Sequence, residues 1–111
     1  MDAAIDWESI PWEEPEGGPE PGSREKKCVR DGLEVWLGEI SEGYNPSGEW
    51  CTEQHLFYVL DGECTMRFKD GDRAVRLRAG DAGIVPAGEA NVHRMEPAAG
   101  ESVRFLLFEQ P

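Results

Sequence analysis

Positive charge is scarce in this chain of 111 residues, where 11 Lys and Arg stand against 23 Asp and Glu for a formal net charge of -12. Nucleic acid and anionic membrane surfaces would be repelled over a Debye length of ~8–10 Å, so neither is expected as a partner. A small molecule, or a neutral or basic partner, fits better. No apolar run approaches the ~20 residues that span a bilayer, and no apolar stretch of the kind that directs secretion stands at the N-terminus. The reading is a soluble, cytoplasmic protein. Cysteine is limited to Cys28, Cys51 and Cys64, which cannot all pair and show no C-x-x-C spacing, as suits a reducing compartment. Histidine is rarer still, with only His55 and His93. Nor does a 3.6-residue apolar period persist for the ten or so residues a helix usually needs, which leaves an all-β domain.

The first 23 residues differ in texture from the rest. They hold seven acidic residues, no Lys or Arg, four of the eight prolines and three glycines. Such a composition buries too little apolar surface to offset its ordering entropy. Residues 1–23 are therefore expected to be a largely flexible acidic segment, with Trp7, Ile10, Pro11 and Trp12 as an apolar anchor that docks on the outside of a β domain spanning 24–111.

From Arg24 onward, short apolar segments alternate with Asp-Gly and Gly-rich turns. Strands are expected over Arg24–Val29 and Leu33–Ile40 around Asp31-Gly32, and over His55–Leu60 and Glu63–Phe68 around Asp61-Gly62. Both pairs read as hairpins. Further strands are expected at Arg73–Arg78, Ala82–Pro86, Asn91–Met95 and Val103–Glu109. Phe57 and Val59 alternate with Leu56, Tyr58 and Leu60, so one set points into the core and the other is left outside it. About eight short antiparallel strands suggest a sandwich or closed barrel.

The chemistry-bearing groups gather in Gly43–Gly62, where Glu49, Cys51, Glu53, Gln54 and His55 precede a strand. Glu49 and Cys51 lie two apart, so in extended chain their side chains leave the same face about 6.6 Å apart. Six residues of straight strand would carry His55 about 20 Å from Glu49, so Thr52–Gln54 must bend if the three are to meet. His93 follows the Pro86-Ala87-Gly88 turn. Blander readings stand beside this one. Cys51 reads equally as a small buried hydrophobe, as Cys64 does on its apolar face; Glu49 beside Gly48 reads as a solvated turn residue, and His93 beside Arg94 as an exposed strand residue.

The glycine and proline frame resembles the cupin superfamily of small jelly-roll β-barrels, whose two motifs are G-x5-H-x-H-x(3,4)-E-x6-G and G-x5-P-x-G-x2-H-x3-N. The first frame runs from Gly43 through positions 49, 51 and 55 to Gly62. The second runs from Gly80 through Pro86 and Gly88 to position 91. Where metal-binding cupins carry His, His, Glu and His, this chain has Glu49, Cys51, His55 and Asn91. His93 lies two residues past Asn91, and a small insertion would bring it into the place of Asn91.

The resemblance implies a cupin jelly-roll β-barrel, a homodimer, and a small molecule bound in the barrel, with Glu49, Cys51, His55 and His93 as candidate metal positions and Gln54 and Asn91 as candidate substrate-binding positions. Glu49 with both histidines would suit Fe(II), and Cys51 with both would suit Zn or Ni. With a divalent metal the similar enzymes are dioxygenases, isomerases and lyases. Without one, the altered positions imply a non-catalytic ligand-binding or sensor protein. An interaction protein built on the acidic segment and its tryptophans is a third class.

Overall fold

The computed structural model describes residues 3–13, 23–41, 50, 54–98 and 100–109. Asp31 and Gly32 both take left-handed backbone conformations, with φ of 47° and 81°, as a tight two-residue hairpin demands. They join β1 (Ser23–Arg30) to β2 (Leu33–Ser41), which pair antiparallel from Arg30 opposite Leu33 to Ser23 opposite Ile40. The remaining strands are β3 (His55–Asp61), β4 (Glu63–Phe68), β5 (Ala74–Arg78), β6 (Ala82–Val85), β7 (His93–Pro97) and β8 (Ser102–Glu109). They form two sheets, one of five strands in the order β1-β2-β8-β3-β6 and one of three in the order β5-β4-β7. Every strand pairing among the described residues is antiparallel.

The Asp61-Gly62 turn corrects the second expected hairpin. β3 pairs with β8 and β6, whereas β4 pairs with β5 and β7, so Gly62 carries the chain round a corner from one sheet to the other. A register shift between Val59 and Asp61 marks the bend. β7 also begins later than expected, at His93, because Glu89–Asn91 close a short 3-10 turn with the Asn91 amide donating to the Gly88 carbonyl at 3.0 Å.

The core lies between the sheets. Ile40, Phe57, Val59, Val85, Val103 and Phe105 from the larger sheet meet Cys64, Met66 and Leu77 from the smaller one. Val59 and Val103 are wholly buried, and burying a side chain of this kind contributes about 1.5–3 kcal/mol. The alternation along β3 is as expected: Phe57 and Val59 point inward while Leu56, Tyr58 and Leu60 are exposed. Cys64 is a core hydrophobe, and burial, with the charge of Glu63, pushes its thiol up to about 11. It is a protonated, unreactive thiol at neutral pH.

On the outer face of the larger sheet, residues 3–13 lie against β1. Lys26 is buried there and donates to the Trp7 carbonyl at 2.6 Å. The Trp12 ring has the Arg24 guanidinium 4.0 Å and the Lys26 ammonium 4.9 Å from its centroid. Glu13 bridges Glu25 through paired backbone hydrogen bonds of 2.8 Å. Glu39 receives both Arg24 and Arg104 in the neighbouring row.

Candidate functional site

His55 opens β3 in the larger sheet and His93 opens β7 in the smaller one, both with side chains directed between the sheets. They sit at the same end of the barrel and are 7% and 4% exposed. Their ring centroids are 5.3 Å apart with planes at 87°, an edge-to-face arrangement. Phe68, which pairs with His93 across β4 and β7, places its ring 6.2 Å from the His93 ring. Two imidazoles from opposing sheets thus converge in an apolar setting, which is costly unless their polar atoms are engaged.

Nδ1 of each ring faces an oxygen, His93 in a hydrogen bond and His55 in an ion-pair contact. His93 Nδ1 lies 2.9 Å from the backbone oxygen of Asn91. A carbonyl can only accept, so Nδ1 carries the proton and the neutral ring has its lone pair on Nε2. His55 Nδ1 lies 3.3 Å from Oε1 of Glu109 at the end of β8. Glu109 was not among the residues expected from sequence, because nothing local to it signals chemistry; it is brought to His55 by the pairing of β3 with β8.

Of the positions expected at the site, the structure brings His55 and His93 together. Asn91 serves His93 through its backbone oxygen. Gln54 is exposed and, with His55, lines a groove of about 300 Å³ that also takes in Leu56, Ile84, Pro86 and Phe108. Glu49 and Cys51 lie outside the described residues, in the connection that leads into His55. Among the described residues no cluster of three or more His, Cys, Asp and Glu is placed to hold a metal ion. The two imidazoles suit a divalent ion as neutral nitrogen donors, each with Nδ1 set against an acceptor in the way ligating histidines are usually held.

The match to a family model is direct. Residues 46–109 match the model of the Cupin domain, more than half of the chain. The chain belongs to the cupin family. An uncharacterized protein of Bacillus subtilis (strain 168), YdbB, is 40% identical to this cupin over 67 residues, which are 60% of this chain and 50% of that protein. The matched stretch therefore spans about half the length of that relative. Among solved structures, the polyketide cyclase RemF from Streptomyces resistomycificus is similar with a TM-score of 0.76 and 22% identity, covering 100% of this chain and 82% of that one. The Fe(II) form of HppE is similar with a TM-score of 0.69 and 18% identity, covering 91% of this chain and 56% of that one. At such identities the likeness is one of fold, and it supports the jelly-roll barrel.

Proposed function

We propose that this cupin binds a small molecule at the end of the barrel where His55 and His93 meet, around a divalent metal held by the two imidazoles and completed by Glu49 or Cys51. The observation that carries the reading is the convergence of two buried imidazoles from opposing sheets, 5.3 Å apart, in a chain that has only two histidines. The likeness of fold to the Fe(II) form of HppE supports metal binding as compatible with this fold. When bound, a divalent ion would polarise a substrate oxygen, the chemistry that dioxygenases, isomerases and lyases of this fold share. The chain's own part is to present Nε2 of both rings from a setting lined by Phe68, away from bulk water. Glu49 and Cys51 are alternatives that select different ions: a carboxylate beside two histidines suits Fe(II), and a thiolate suits Zn or Ni.

A ligand-binding or sensor protein without metal is the second reading, favoured by the replacement of two family histidines with Glu49 and Cys51. Elemental analysis of protein purified without added metal separates the two. Stoichiometric metal, lost in His55→Ala, supports the first reading; metal-free protein that also takes up no Zn, Fe(II) or Ni on titration overturns it and leaves the second. A cytoplasmic location and a homodimer formed through the exposed face of β3 belong to the same proposal.

A further inference from the structure

We propose that Glu109 is a positioning residue that holds His55 in the Nδ1–H tautomer, so that Nε2 is the nitrogen offered to the site. The inference rests on the reading of His55 as a ligand-facing imidazole given above. Its first support is the 3.3 Å approach of Glu109 Oε1 to His55 Nδ1, an ion-pair contact short of a formed hydrogen bond that a small rotation of either side chain would complete. An ionised carboxylate is an acceptor only, so a proton between these atoms belongs to the ring. The second support is the placing of Glu109 in the sheet, where it is the cross-strand partner of Glu34 on β2. Like charges directly opposite one another weaken a pair of strands. Sheet stability therefore does not explain a glutamate at position 109.

The surroundings divide these charges between separate partners. Glu34 Oε1 is 3.4 Å from the Lys27 ammonium, and its other oxygen accepts from the Trp36 indole at 3.3 Å. With Lys27 and Trp36 engaging Glu34, Glu109 faces His55. The burial of the two partners is unequal in a useful way. His55 is buried, and the Glu109 side chain is 29% exposed. The carboxylate keeps part of its hydration while it faces a ring that is almost wholly buried, so the arrangement avoids the full desolvation penalty of a buried ion pair. His93 is held by a backbone carbonyl instead. The two rings reach the same presentation by different means, and only one of them can be altered by a side-chain substitution.

The experiment uses the full chain, metal-free, with both imidazoles assigned by long-range 1H–15N NMR at a pH about two units above the ordinary imidazole value of ~6.5. In the parent, both rings are expected as the Nδ1–H tautomer. In Glu109→Ala, His55 is expected to pass to a mixture of tautomers while His93 is unchanged, and Glu109→Gln, which keeps an acceptor oxygen, is expected to restore most of the parent signature. Zn titration of the same proteins is expected to weaken about 10- to 100-fold in Glu109→Ala, the usual effect of removing a partner of a ligating histidine. Glu109 ends a strand and is partly exposed, so both variants should fold, and the unchanged His93 signals report that they do. An unaltered His55 tautomer in folded Glu109→Ala overturns the proposal. Failure of the parent to bind Zn, Fe(II) or Ni strikes instead at the metal reading, and the NMR comparison still decides the role of Glu109.

Discussion

The imidazoles of His55 and His93 stand edge to face across 5.3 Å, one from each sheet of the barrel. Nothing else described at that end of the barrel could replace either as a nitrogen donor, since the chain contains no further histidine. His55→Ala is therefore expected to abolish metal binding, or to weaken ligand binding in a metal-free protein, more than Cys51→Ser does. His93→Ala should resemble His55→Ala. Elemental analysis and ligand titration of the three variants give the order. Parent-like metal content and affinity in His55→Ala would remove the site from consideration.

Close approach of backbone to core makes a second expectation. A methyl group on Gly83 in β6 would overlap the ring of Phe57, a buried core residue on the neighbouring strand, and one on Gly38 in β2 would lie 2.6 Å from the Phe105 ring. Overpacking of this kind costs about 1–3 kcal/mol. At Gly62 the added methyl would meet the Ser102 carbonyl, in a backbone with φ of 84° that L-residues rarely adopt. Rigid backbone cannot yield as a side chain can, so Gly62→Ala is expected to destabilise more than Gly83→Ala, by at least ~2 kcal/mol. Urea unfolding midpoints should rank the parent first, then Gly83→Ala, then Gly62→Ala, and a parent-like midpoint for Gly62→Ala contradicts the corner described here.

How much of this was legible in the sequence depends on the range of the interactions concerned. Asp31-Gly32 and the alternation of Phe57 and Val59 with Leu56 and Tyr58 are local patterns, and the structure follows them. Asp61-Gly62 has the same local signature but turns a corner, because the choice between hairpin and corner is made by the distant strand β8, which pairs with β3 and passes under Gly62. Trp12 was legible as too apolar for a free tail. Its cationic partners Arg24 and Arg104 come from strands at opposite ends of the chain, so its resting place was not. Glu109 was missed for the same reason, since its link to His55 exists only through strand pairing.

Acid should weaken the fold through Glu39 and Glu96. Burial alone would raise the Glu39 carboxyl, but hydrogen bonds and charge from Arg104 and Arg24 outweigh it and hold the group below its ordinary 4.5. Glu96 is likewise held down against burial by Arg67 and Arg94. A carboxyl depressed in the folded state gives up a proton more readily there than in the unfolded chain. Its contribution is complete above about 4.5, the unfolded value, and is lost as the pH falls through the lower folded value. Glu25 works the other way, raised by burial and by Glu13, so its protonation partly offsets the loss. Urea midpoints measured from neutral pH down to the acid limb should fall below about pH 4.5 in the parent, with a shallower fall in Glu39→Gln, which removes about 1 kcal/mol at neutral pH. Equal slopes in the two proteins would contradict this account of the network.

The outer face of β3, β6 and β8 leads to the last expectation. Leu56, Tyr58, Ile84 and Phe108 stand on one face by strand register, and Ile84 is 74% exposed. The described N-terminal residues lie over Arg24 and Lys26 near the β1 edge of this same face, and Leu56, Tyr58, Ile84 and Phe108 remain exposed. A contiguous apolar surface of this kind, without a charged residue among these four, is suited to burial against a second copy. Each copy carries a formal charge of -12, so the two repel one another, and the repulsion is screened by salt while apolar contact is not. The dimer is therefore expected to tighten as salt is raised, the reverse of an association held by ion pairs. Ile84→Lys, made at a position outside the core, should yield a folded monomer with the parent's circular dichroism. Light scattering at high micromolar concentration in low and high salt makes the test: a parent that remains monomeric in both, or an Ile84→Lys variant that remains as dimeric as the parent, would show that this face is not the interface.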